Sequence, residues 1–203
     1  MKSDLDFKPP SIIRSENVDF ENIGKKFSDL ISNKDYLKCC EQISNKSKII
    51  IIANGGLHYV AGHMACDMSR LISNKSFFSF DSVGFITSNA NDYGFDNIFT
   101  RWMETIALAQ DYDSTMVIGL SCSGRSKNVL NGLEWSKSRG IPSWMISGTN
   151  KHADFLTVEL NCTYYHTVEA LCLMMFYDMI HKVGHKCPSI ESNYADSKKR
   201  TAH

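Results

Sequence analysis

Between Asn17 and Ile43 the apolar positions Val18, Phe20, Ile23, Phe27, Leu30, Ile31, Tyr36, Leu37, Cys40 and Ile43 recur every three or four residues. That spacing belongs to helices with one apolar face. The polar run Ser32-Asn33-Lys34 interrupts it, so the pattern predicts two helices with a break there. The pattern then changes character. Lys48-Ile49-Ile50-Ile51-Ile52-Ala53 is an almost continuous run of β-branched residues, which predicts a strand buried on both faces of a parallel sheet. Asn54-Gly55-Gly56 turns the chain into a helix expected over about His58 to Ile72. A second strand is expected within Phe77 to Ile86, followed by a polar loop from Thr87 to Gly94 and a helix from about Asn97 to Leu108. Strand Thr115–Leu120, helix Lys127–Ser138, strand Ser143–Ile146, a last strand within Asp154 to Glu159 and a long helix from Thr167 to Lys182 complete the reading.

Strands alternating with helices imply βαβ crossovers and a parallel sheet covered by helices on both faces. The chain divides into an N-terminal tail and helical appendage (1–45), one α/β domain (46–185) and a polar C-terminal tail (186–203). The appendage is expected to dock on its own domain or on another subunit. The first fifteen residues and the charged run Ser197-Lys198-Lys199-Arg200 read as irregular or solvated.

Charge removes some classes of function. Lys+Arg and Asp+Glu are 22 each, a balance that provides no field for nucleic acid or an acidic membrane surface. No apolar run approaches the roughly 18 residues needed to span a bilayer, and no apolar stretch resembling a signal peptide follows Met1-Lys2-Ser3-Asp4. The seven cysteines are odd in number and form no Cys-x-x-Cys pair. Reduced thiols acting as small apolar residues in a cytoplasmic protein account for them.

The densest chemistry lies at Ser121-Cys122-Ser123-Gly124-Arg125-Ser126, where an apolar strand ends in hydroxyls and opens a helix. The first N–H groups of a helix have no internal partner, and its dipole places partial positive charge there. Ser121, Ser123 and Ser126 can add O–H donors, and Gly124 allows the main chain to approach a phosphate. An ordinary serine-rich turn with a helix cap is the plain alternative. In parallel sheets ligands sit at the carboxyl ends of strands near the switch in strand order, and Asn54-Gly55-Gly56 lies at another such end. His63 and Asp67, four apart on one helix, share a face and could act as base and orienter, bind a metal, or simply hydrogen-bond each other.

Three segments in order resemble the sugar isomerase (SIS) domain family, in its phosphoheptose isomerase branch: Asn54-Gly55-Gly56-x-His58 with His63 following, Asn91-Asp92-Tyr93-Gly94-Phe95-Asp96-Asn97-Ile98-Phe99, and Ser121-x-Ser123-Gly124-x-Ser126-x-Asn128-Val129. The resemblance covers roughly residues 15–185. It implies a doubly wound, flavodoxin-like five-stranded parallel sheet flanked by helices, and an aldose–ketose isomerase acting on sedoheptulose 7-phosphate or a related sugar phosphate. It also implies a homotetramer with active sites at subunit contacts. Phosphate is then expected at Ser121, Cys122, Ser123 and Ser126, and substrate contacts also at Asn54, Gly55, Asp92 and Glu169.

The family uses a glutamate four residues after the helix histidine and a histidine late in the last helix, with zinc held by the first histidine, those two residues and a glutamine. In this chain Asp67 stands at the glutamate, Glu169 at the glutamine, Tyr177 at the late histidine, and Leu57 replaces a sugar-contacting serine. The resemblance therefore implies Asp67 as base beside His63, with Tyr177 or His181 as acid. It implies either no cofactor or a zinc held by His63, Asp67 and Glu169. The same departures support an alternative, a non-catalytic SIS module that binds a sugar phosphate or a protein partner as a sensor or regulator.

Overall fold

The computed structural model describes residues 18–192. The irregular start and the charged end expected from sequence lie outside the described residues. Five parallel strands, β1 (Lys48–Ala53), β2 (Ser76–Ser79), β3 (Thr115–Ser121), β4 (Ser143–Ser147) and β5 (Leu156–Glu159), form one sheet in the order β2-β1-β3-β4-β5. This is the flavodoxin-like order expected for a doubly wound sheet. Around it pack the α-helices α1 (Ile23–Leu30), α2 (Lys34–Ser44), α3 (Gly55–Leu71), α4 (Val83–Tyr93), α5 (Ile98–Ile106), α6 (Lys127–Lys137) and α7 (Tyr165–Lys182).

β1 shows why an unbroken isoleucine run is needed. Ile49, Ile51 and Ala53 point to one face and join a core with α1, α2, α3 and α7 through residues such as Leu30, Tyr36, Met64 and Met175. Ile50 and Ile52 point to the other face and pack with Phe99, Met103, Val129 and Leu133 of α5 and α6. Side chains alternate along a strand, so a strand covered on both faces has no polar position to spare. Each isoleucine taken fully out of water contributes about 1.5–3 kcal/mol before the entropy of ordering is set against it.

The helical appendage docks on its own domain. Tyr36, Cys39, Cys40 and Ile43 of α2 are buried, and the Tyr36 hydroxyl donates to Asp178 Oδ2 of α7 at 2.6 Å. Trp144 Nε1 of β4 donates to Gln42 Oε1 of α2 at 2.7 Å. The break between the helices falls at Asn33, whose side chain caps α2 by accepting from Asp35 N and Tyr36 N.

One stretch departs from the sequence reading. The strand expected within Phe77 to Ile86 ends at Ser79, and the expected polar loop from Thr87 to Gly94 is mostly helix α4. Ser82 Oγ caps that helix at Phe85 N, and Phe85, Ile86, Asn89 and Ala90 turn inward at helical spacing. Its polar residues are the solvated face of a surface helix, and the helix stops at Gly94 with φ of +80°.

Candidate active site

The order of strands reverses between β1 and β3, and both run into a helix at that point. Asn54 precedes α3, and Ser126 precedes α6. Neither side chain caps its own helix. The two asparagine amides Asn54 and Asn128 instead hydrogen-bond each other reciprocally at 2.8 Å in both directions, tying the two turns together. Asn128 is buried, and its Oδ1 also accepts from Val129 N at 2.9 Å. The helix starts are thus held side by side with their first N–H groups free of side-chain caps, an arrangement that attracts an anion.

Between them lies a cleft of about 250 Å³ lined by Asn54, Gly55, Gly56, Ser121, Ser123, Ser126 and, from α7, Tyr165 and Glu169. Leu57 and Cys122 also line it. The Ser121 and Ser126 hydroxyls are 3.0 Å apart, and Ser123 Oγ accepts from Arg125 N at 3.2 Å. Gly124 has φ of +65°, and a Cβ there would come within 2.8 Å of Asn150 Cβ. Asn150 Nδ2 donates to Ser123 O at 2.8 Å and His152 Nε2 bonds Gly124 O, so the serine turn is braced from behind while its hydroxyls face the cleft. Burial, followed by the charge of Glu169, pushes the Cys122 thiol up to about 11, so it remains protonated near neutrality. The Arg125 side chain is exposed and does not line the cleft.

Glu169 lies against the first turn of α3. An ideal Cβ on Gly56 would stand 2.1 Å from Glu169 Oε1, so only glycine admits the carboxylate there. The third helix that starts beside the cleft, α7, has its N-terminus occupied from outside. Glu21 accepts from Thr163 N, Thr163 Oγ1 and Tyr164 N at 2.6–3.1 Å. The Thr163 hydroxyl, ahead of the backbone N–H groups, holds the Glu21 carboxyl down at about 2.

No protein-family model matches the chain. A phosphoheptose isomerase from Syntrophotalea carbinolica is 31% identical over 175 residues, covering 80% of this chain and 86% of that protein. The chain belongs to the phosphoheptose isomerase family. A phosphoheptose isomerase from Histophilus somni is 25% identical over 173 residues, covering 78% of this chain and 85% of that protein. The solved structure of a phosphoheptose isomerase from Neisseria gonorrhoeae shares the fold with a TM-score of 0.68 at 17% identity, covering 81% of this chain and 92% of that one.

Other residues expected in a phosphoheptose isomerase site fall elsewhere. Asp92 is exposed on the last turn of α4, where Oδ1 accepts from Asn91 Nδ2 at 2.9 Å; within this chain it does not line the cleft. His63, Asp67 and Tyr177 do meet, on the facing sides of α3 and α7. The Tyr177 hydroxyl donates to Asp67 Oδ2 and lies by His63 Nε2, both at 3.1 Å. His63 Nε2 is 3.7 Å from Asp67 Oδ2, and Arg70 Nη2 donates to Asp67 Oδ1 at 2.9 Å. Burial and the Asp67 hydrogen bond push the Tyr177 phenol above its usual range. His181 is exposed in the last turn of α7.

The zinc set His63, Asp67 and Glu169 needs correction. Asp67 follows Gly56 by about three turns of α3, about 16 Å along its axis, and Glu169 lies at Gly56. One ion cannot touch both carboxylates in this subunit. Arg70 also places a cation on Asp67 where a metal would need the oxygen. Among the described residues no group of three or more His, Cys, Asp or Glu side chains could hold a metal ion. These residues do not fit a zinc ion.

Asn128 stands in the serine-turn motif, but sequence reasoning assigns it no role of its own. The signal was present in its place two residues after Ser126, but its partner Asn54 is distant in sequence and only the fold pairs them.

Proposed function

We propose that this chain is a sugar-phosphate aldose–ketose isomerase whose phosphate site is the serine turn. The supporting observation is the pairing of two uncapped helix N-termini across a hydroxyl-lined cleft, locked by the Asn54–Asn128 amide pair. Phosphate is held by the first N–H groups of α6 and the hydroxyls of Ser121, Ser123 and Ser126. Asn54 and Gly55 border the sugar. Sedoheptulose 7-phosphate or a related sugar phosphate is the substrate, in line with the relatives named phosphoheptose isomerase. The balanced charge and seven cysteines, with no disulfide among the described residues, suit a reducing cytoplasm. Among the described residues no helix is long and apolar enough to cross a membrane.

Assembly as a homotetramer fits the apolar side chains left exposed on and beside α4, Val83, Tyr93 and Phe95, and would bring Asp92 of one copy toward another. Light scattering of the full chain decides this, and a monomer at micromolar concentration would remove Asp92 from the site.

The reaction is tested by incubating the protein with sedoheptulose 7-phosphate in deuterated water and following the proton at the carbon next to the carbonyl by NMR. An isomerase exchanges that proton and interconverts the two sugars. Binding without exchange on any sugar phosphate would make the chain a sensor or regulator instead.

A further inference from the structure

Isomerisation moves a proton between neighbouring carbons, so it needs a carboxylate or imidazole with a free lone pair beside the sugar. Two carboxylates on the α3–α7 face are available. Asp67 has both oxygens engaged, Oδ1 by Arg70 and Oδ2 by Tyr177, and lies about 16 Å down α3 from the Gly-Gly turn. Glu169 differs on every count. Among the described residues it is the only carboxylate lining the serine cleft, it rests on Gly56, and its oxygens accept no hydrogen bond. Among the described residues no Lys or Arg lines the cleft to neutralise it, and the Cys122 thiol beside it stays protonated near pH 7.

We infer that Glu169 is the catalytic base that carries the proton between C1 and C2 of the sugar phosphate, an inference that rests on the isomerase reading above. With the phosphate in the serine turn, the sugar extends across the same cleft toward Gly56. Starting from the aldose, a Glu169 oxygen takes the C2 proton. The C–H electron pair becomes the C1=C2 bond, and the carbonyl pair moves onto O1, which is protonated by water in the open cleft. The protonated Glu169 then returns its proton to C1 as the O2–H proton leaves to water and C2=O forms. Protons and electrons balance without an oxidant. Gly56 is the positioning residue, because any side chain at that place would overlap the carboxylate and displace it.

Three variants test this, each measured for binding of sedoheptulose 7-phosphate and for carbon-bound proton exchange. Glu169→Gln keeps size and polarity but removes the base, so exchange should fall by at least about 100-fold with affinity within about threefold. Glu169→Asp retains a carboxylate one methylene back and should recover part of the rate. Gly56→Ala leaves the carboxylate in place chemically but displaces it, since the atoms it meets are the far end of a flexible side chain. It should lower kcat by about tenfold or more while binding persists, a split that mere loss of folding would not give. If Glu169→Gln exchanges at more than about a tenth of the wild-type rate, Glu169 is not the base and the isomerase reading stands without it. If the wild-type chain binds the sugar phosphate and exchanges nothing, both readings fall together.

Discussion

The cleft above the sheet and the cluster lower on α3 and α7 use similar residues to opposite ends. In the cleft, Ser126 and Asn54 leave the N-termini of α6 and α3 uncapped, and Glu169 has no hydrogen-bond partner among the described residues. In the cluster every polar atom of Asp67 is answered: Tyr177, His63 and Arg70 gather around one carboxylate. Unanswered groups in a concave place are available to a ligand, whereas a closed network of hydrogen bonds contributes to the fold and has little left to give a substrate. The same contrast recurs at the start of α7, where Glu21 occupies the helix N-terminus that would otherwise join α3 and α6.

The largest effect on binding should come from emptying the cleft of its donors. Replacing Ser121 and Ser123 together by alanine removes hydroxyls that would meet a phosphate dianion in charge-assisted bonds of about 1.5–3 kcal/mol each. Affinity for a sugar phosphate, measured by titration calorimetry, should fall by at least about tenfold with the melting temperature nearly kept. Equal affinity for phosphorylated and unphosphorylated sugars in the wild type would move the phosphate out of the serine turn.

A smaller effect is expected in the closed cluster. Tyr177→Phe removes one hydroxyl that serves both His63 and Asp67 and leaves Asp67 Oδ2 without its donor. The cost should be about 1 kcal/mol, or about 2–4 °C in melting temperature for a chain of this size. The rate should fall by less than about fivefold. A loss equal to that of Glu169→Gln would break the comparison, because it would return the proton transfer to Asp67 and Tyr177.

The architecture was legible because it rests on local patterns. The isoleucines of β1 and the amphipathic repeats of α1 and α2 each announce their element in a few residues, and the strand-to-serine turn at Ser121 declares its own chemistry. What escaped was whatever depends on long-range pairing. α4 read as a loop because its polar face dominates a stretch with few large apolar residues, and only packing of Phe85 and Ile86 beneath Phe80 and Trp102 reveals the helix. Family spacing suggested one metal centre from His63, Asp67 and Glu169. The length of α3 separates them: residues that share a helix face can still stand about 16 Å apart. Glu169 stays in the cleft against the first turn of α3, with no hydrogen-bond partner among the described residues.

The last and smallest effect concerns Glu21, the residue that closes α7. Glu21 and Asn22 both adopt left-handed backbone, with φ of 52° and 57°, a conformation that non-glycine residues hold only when neighbouring bonds repay the strain. Those bonds are the three donors at Thr163 and Tyr164, together with His166 Nε2 on Asp19 O at 2.7 Å. Folding lowers the Glu21 carboxyl from its ordinary 4.5 to about 2, with the Thr163 hydroxyl the largest cause. A depressed folded value means that the stabilisation is complete above about pH 4.5 and is lost as the pH falls toward 2. Glu21→Gln should therefore unfold at lower urea than the wild type at pH 7, and the gap should close as the pH drops through that window. The group is solvent-exposed, so added salt should shrink the gap at pH 7 as well. No gap at any pH would show that the glutamine amide caps α7 as well as the carboxylate does. The occupied start of α7 would then owe its closure to shape alone, and charge would no longer distinguish it from the open starts of α3 and α6.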